Sequence, residues 1–144
     1  MDMRVNPQEQ ALDAFVRRKI EAAGVRPTRQ RLELGRVIFS REDWHFTAET
    51  IYCQTRTIRF APTLGTIYNT LSEFARCGLL REIAVYDAKL WYGTNTGCHY
   101  HYYCEDSEEL LDIPGEWRPK IDIPAPEGMT VAAIDVIVRV KKTP

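Results

Sequence analysis

Three histidines and four cysteines are the side chains in this 144-residue chain best suited to hold a metal ion. Four of these seven fall in one short run, Cys98-His99-Tyr100-His101-Tyr102-Tyr103-Cys104. If the run is a strand, its side chains alternate between faces, and His99 and His101 point the same way. Their Cα atoms would then be about 7 Å apart, within reach of a single ion for both imidazoles. Cys98 and Cys104 share the opposite face with Tyr100 and Tyr102, so a regular strand does not build a Cys-His-His-Cys site. A His-x-His pattern equally describes two strand histidines hydrogen-bonded at a surface, and the run alone leaves both readings open. The third histidine, His45, stands far away in sequence. Cys53 and Cys77 read as small core or helix-surface residues. No two cysteines form a C-x-x-C pair, which leaves zinc-ribbon and thioredoxin-type chemistry without support.

The elements that must position these residues change character along the chain. Leu12, Phe15, Val16, Ile20 and Ala23 recur at helical spacing and are followed by Gly24 as a stop. Pro27 and Thr28 open a second helix carrying Leu32, Leu34, Ile38 and Phe39. Thr47 caps a short third helix with Ala48, Ile51 and Tyr52 on its apolar side and Glu49 in its first turn. Thr63 caps a fourth, with Leu64, Ile67, Leu71 and Phe74 as its buried stripe and Gly78 as its end. The period then falls to two: Leu80–Tyr86 and Lys89–Gly93 alternate around Asp87-Ala88, which reads as a hairpin. Helices followed by a small hairpin give the order of a winged helix-turn-helix. Beyond residue 98 the pattern predicts short strands at Cys98–Cys104, Glu109–Ile113 and Val131–Val140, among prolines that discourage a helix. The expected class is α+β, with a winged-helix domain over 1–84 and a second domain over 85–144.

In a helix-turn-helix, the N-terminal part of the second helix meets base edges in the DNA major groove. Here that helix begins at Thr63 and leaves Thr66, Tyr68, Asn69, Thr70 and Glu73 off its core stripe. Asn69 is suited to adenine, and Thr66 or Tyr68 to a thymine methyl group. Arg26, Arg29, Arg31 and Arg59 are candidates for phosphate or minor-groove contacts, which position a protein without specifying sequence. Helices with exposed Thr and Asn also occur without any such role.

Net charge supports a division of labour. The total is −1, yet residues 1–81 carry thirteen Arg/Lys against nine Asp/Glu, whereas residues 82–144 carry six against eleven. A basic half suits a polyanion, and the acidic half something cationic. Glu105, Asp106, Glu108 and Glu109 read as a solvated turn beside the histidine run. With 44% hydrophobic and 27% charged residues, disorder, collagen and coiled coil fit poorly. No apolar run approaches the roughly 20 residues of a membrane span. Met1, Asp2, Met3 and Arg4 do not begin a signal peptide, so the cytoplasm is the expected compartment.

Arg26-Pro-Thr-Arg-Gln-Arg31, His45-Phe-Thr-Ala-Glu49, Thr63-Leu-Gly-Thr-Ile-Tyr-Asn-Thr-Leu71 and Phe74…Gly78-Leu79 together resemble the ferric uptake regulator family in order and spacing. The Tyr68-Asn-Thr-Leu71 run, Leu111-Asp-Ile-Pro114 and the tail Glu127-Gly-Met129…Asp135-Val-Ile-Val-Arg139 resemble its iron response regulator branch. The resemblance implies a homodimeric transcription factor that binds double-stranded promoter DNA through a winged helix and dimerises through a C-terminal α/β domain. It assigns a base-contacting role to Tyr68 and a minor-groove or phosphate role to Arg26. Asn69 stands where many members have Arg, so base preference is expected to differ.

The same resemblance implies one regulatory metal site, formed by His45, His99, His101 and Asp112, for Mn²⁺, Fe²⁺ or Zn²⁺. A further carboxylate of the family falls at Gly93, which offers no ligand. Cys104 matches the first cysteine of the family's structural zinc site, but Ser107 occupies the second position, so no structural zinc is expected. Haem is the rival ligand, with His99 or His101 axial. An ion held by all four residues would fix the angle between two domains hinged near residues 82–88, and so the spacing of two recognition helices. The alternative is a winged-helix regulator that has lost metal sensing. A hydrolytic zinc centre is the enzymatic reading, and the chain offers it neither a cofactor loop nor a nucleophile elbow.

Overall fold

The computed structural model describes residues 6–97 and 100–144. It divides into two compact units, the first ending at Thr96 and the second running Gly97–Pro144.

Four helices build the first unit. Helix α1 (Pro7–Ala22) starts at Asn6, whose side chain accepts a hydrogen bond from the Gln8 amide, and it buries Val16 and Ile20. Gly24, at φ +78°, supplies the left-handed residue that turns the chain out of the helix. Helix α2 (Arg29–Phe39) is capped by Thr28 and buries Leu34, Gly35 and Ile38. Gly35 is the point of closest approach to α1, since a Cβ there would stand 2.5 Å from Val16 Cγ1. Strand β1 (His45–Thr47) runs straight into α3 (Ala48–Gln54), with Thr47 as its cap. Helix α4 (Leu64–Arg76) is capped by Thr63 and buries Ile67, Thr70, Leu71 and Phe74.

Strands β2 (Arg81–Ile83) and β3 (Trp91–Gly93) form the hairpin, and β1 joins it to give a three-stranded antiparallel sheet in the order β1-β3-β2. Ile20, Leu34, Ile38, Phe46, Ile51, Ile67, Leu71, Phe74 and Tyr92 are almost wholly excluded from solvent and form the core beneath helices and sheet. This is the expected winged helix-turn-helix. The expected boundary at 84/85 and the hinge near 82–88 both fall inside the hairpin. Because β3 pairs with both β1 and β2, residues through Gly93 stay with the first unit, and the division moves to 96/97.

In the second unit β4 (His101–Cys104) is central. It pairs antiparallel with β5 (Glu109–Asp112) and parallel with β6 (Ile137–Val140). The strand expected over 131–140 forms only at its end. Among the described residues of this unit the helical component is one 3-10 turn, Gly115–Trp117, preceded by Pro114. Pro119, Pro124 and Pro126 follow it, and each removes an amide donor that a helix would need. The helical part of the α+β fold therefore comes from the first unit. No described helix is long and apolar enough to cross a membrane.

Candidate nucleic-acid interface and metal ligands

Helix α4 presents its N-terminal half outward. Tyr68 and Asn69 are exposed, and Arg26, Thr66 and Asn69 line one shallow open groove with Thr28, Gln30 and Arg31. Local chemistry fixes this surface. The Thr63 hydroxyl accepts the Thr66 amide at 3.2 Å and donates to Thr66 Oγ1 at 3.0 Å, so Thr63 is committed to starting the helix. Thr70 and Glu73 line the same groove, but Thr70 departs from the expectation of an exposed contact. It is only 7% exposed, because it lies one helical turn beyond Ile67, on the edge of the buried stripe.

The arginines divide by role. Arg31 pairs with Glu73 of α4 and donates to the Arg26 carbonyl at 2.9 Å, which makes it a clamp between α2 and α4 rather than a free cation. Arg29 pairs with Glu33 at 3.3 Å and lies 5.3 Å above the Phe60 ring, while Arg59 approaches the same ring at 5.1 Å. Phe60 itself is exposed and left-handed, at φ +60°. Arg26 is exposed beside the groove.

One contact on this surface has no sequence signal. The Tyr68 phenol donates to Glu49 Oε1 at 2.7 Å, linking α4 to the first turn of α3. That bond holds the Glu49 carboxyl below the usual carboxylate range and raises the Tyr68 phenol above its ordinary value. Glu49 reads in sequence as an acid favourable to a helix N-terminus and as the end of the His45–Glu49 run, neither of which points to Tyr68, nineteen residues away.

Strand pairing in the second unit sets His101 opposite Asp112. The imidazole is buried, and its Nε2 lies 3.4 Å from Asp112 Oδ1, on a carboxylate that is 42% exposed. A buried imidazole nitrogen beside a solvent-reaching carboxylate fits the donor set of a borderline divalent ion. Tyr103, Leu110 and Ile137 share that sheet face by register. The opposite face carries the row Leu111, Tyr102 and Val138, of which Leu111 and Val138 are exposed. His99 and Cys98 lie outside the described residues.

His45 belongs to the first unit, half-buried on β1 directly across from Gly93. A Cβ at Gly93 would stand 3.3 Å from His45 Cδ2 and 3.7 Å from Nε2. The position expected to lack a carboxylate is thus the one that faces this ring. Cys104 ends β4, and hydrogen bonding from Ser107, first through its side chain and then its backbone, lowers the thiol's pKa. Cys53 and Cys77 are exposed on the first unit.

A model of the ferric uptake regulator family matches residues 22–137, a span that takes in most of both units and every candidate DNA-binding and metal-binding residue above. The chain belongs to the ferric uptake regulator family. That family consists of transcriptional regulators, not enzymes. Among its curated relatives, this Fur-family chain is 32% identical to the peroxide-responsive repressor PerR of Staphylococcus aureus (strain USA300) over 78% of its length and 75% of the relative's. It is 35% identical to PerR of Staphylococcus epidermidis over 65% of its length, a match that spans 62% of that repressor. The ferric uptake regulator from Pseudomonas aeruginosa with manganese has a similar fold, with a TM-score of 0.66 at 20% identity, covering 89% of this chain and 98% of that one.

Proposed function

We propose that this Fur-family chain is a homodimeric, metal-responsive regulator of iron homeostasis that binds promoter DNA in the cytoplasm. The observation that carries the metal reading is the buried His101 imidazole beside Asp112. His45, His99, His101 and Asp112 are the proposed ligands of one divalent ion, Mn²⁺, Fe²⁺ or Zn²⁺, and Mn²⁺ serves as the probe below. When bound, such an ion supplies a charge-neutralising crosslink among these donors. His45 is drawn from the first unit and the other three from the second, so metal occupancy couples to how a dimer's two α4 helices meet successive turns of DNA.

The DNA reading rests on the exposed Tyr68 and Asn69, with Arg26 beside them and Arg29, Arg59 and Thr66 flanking. Thr63 starts the helix that carries this surface, and Thr70 lies nearly buried at the edge of the groove. Dimerisation is supported by the row of exposed Leu111, half-buried Tyr102 and exposed Val138 on the sheet face away from His101, an apolar surface suited to burial against a second copy. The iron response regulator branch is favoured by Tyr68-Asn-Thr-Leu71 and the C-terminal runs. A peroxide response is the second reading, favoured by the PerR relatives.

Sequencing of genomic DNA retained by the purified protein, with metal analysis of the same sample, tests this reading. Enrichment of promoters of iron-handling genes, altered by Mn²⁺ or Fe²⁺, is the expected result. Enrichment altered by haem selects the rival ligand, and loss after peroxide treatment the PerR-like reading. Enrichment indifferent to all of these leaves a regulator without sensing.

A further inference from the structure

The bond between Tyr68 and Glu49 has a consequence for which bases the α4 surface accepts. A phenol has one proton to give and lone pairs to receive with. An ionised carboxylate can only accept, and Glu49 is held ionised near neutral pH. At 2.7 Å the Tyr68 proton is committed to Glu49, in the range of charge-assisted O–H···O⁻ bonds. The phenol oxygen, on a side chain 38% exposed, then faces solvent as an acceptor alone.

We propose that Glu49 fixes the hydrogen-bond polarity of Tyr68 and thereby biases the DNA sequence this chain selects. The proposal rests on the DNA-binding reading of α4. In the major groove, adenine N6 and cytosine N4 present donors, whereas thymine O4, guanine O6 and the N7 of both purines present acceptors, so only adenine and cytosine offer a donor. A Tyr68 whose proton is spoken for favours adenine or cytosine at the position it covers. A tyrosine with a freely rotating hydroxyl would take either kind of edge. Glu49 is well placed for this role because it sits on the first turn of α3, just after the Thr47 cap. Its orientation is therefore fixed by a different helix from the one that reads the bases. Glu49 acts as a positioning residue. A carboxylate on a surface that meets a polyanion weakens association, so a purely electrostatic role predicts only a gain in affinity when it is neutralised.

Selection from a pool of random DNA duplexes, in the presence of Mn²⁺, tests the proposal with the wild-type chain and the Glu49→Gln and Tyr68→Phe variants. A glutamine amide can donate to the phenol oxygen as well as accept from it, so the phenol proton is no longer committed and becomes available to the DNA. Glu49→Gln is expected to shift preference at one position of each half-site from adenine or cytosine towards guanine or thymine, by roughly three- to tenfold in relative enrichment. Tyr68→Phe is expected to lose preference at that same position while the flanking positions hold. Circular dichroism of both variants checks that the fold is retained. If Glu49→Gln enriches the wild-type sequence, with or without tighter binding, the proposal is overturned. If the wild-type chain enriches no sequence at all, the DNA-binding reading itself fails, and this proposal falls with it.

Discussion

Gly93 and His45 face each other across strands β3 and β1, and a Cβ on Gly93 would lie 3.3 Å from the imidazole. The family resemblance implies a carboxylate at that position, and the buried glycine supplies none while keeping the backbone close against the ring. Gly93→Asp should therefore add a ligand at the cost of a few tenths of an ångström of movement by His45. The expected effect is a Mn²⁺ dissociation constant lowered about tenfold, equivalent to ~1.4 kcal/mol, measured by calorimetry. Unchanged affinity would show that a carboxylate at the Gly93 position does not reach the metal.

Packing of α1 against α2 depends on Gly35. An alanine methyl would meet Val16 Cγ1 at 2.5 Å, on a side chain that is wholly buried. Gly35→Ala is expected to destabilise the first unit by about 1–3 kcal/mol, read from urea denaturation. Trimming Val16 to alanine in the same chain should recover part of that loss.

The helices were legible because each carries its own instructions. Thr28, Thr47 and Thr63 cap, Gly24 and Gly78 turn left-handed, and Ile67, Leu71 and Phe74 recur on one face. Strand β1 was not legible, since three residues between two helices are too few to show a period and their partner lies on β3. The parallel pairing of β4 with β6 spans 36 residues, from His101 to Ile137, and no local pattern encodes it. At the candidate site, residue types and spacing pointed to His101, Tyr68 and Asn69, whereas Asp112 came from the family resemblance alone. The contacts that orient the surface, Tyr68 with Glu49 and Arg31 with Glu73, join residues far apart in sequence and arise only when α3 and α2 pack against α4.

Alkaline pH should unfold the first unit through Tyr92. Burial, followed by the charge of Glu82, pushes its phenol up to about 12 from an ordinary value of 10.0, and it is only 1% exposed. The folded state keeps this proton longer than the unfolded chain does. The stability it contributes is complete below about pH 10 and is lost as pH rises from about 10 to about 12, by ~2–3 kcal/mol. Urea midpoints measured across that window should fall steeply for wild type and less steeply for Tyr92→Phe.

The most direct test of the metal-responsive reading is a gel shift of a selected promoter duplex, with and without Mn²⁺, comparing wild type with His101→Ala and Asp112→Asn. Asp112 is partly solvent-exposed, so its variant guards against a simple loss of folding. The account predicts that Mn²⁺ changes wild-type affinity by about tenfold or more, and that both variants lose this response while still binding the duplex. A Mn²⁺ response equal to wild type in both variants would contradict it.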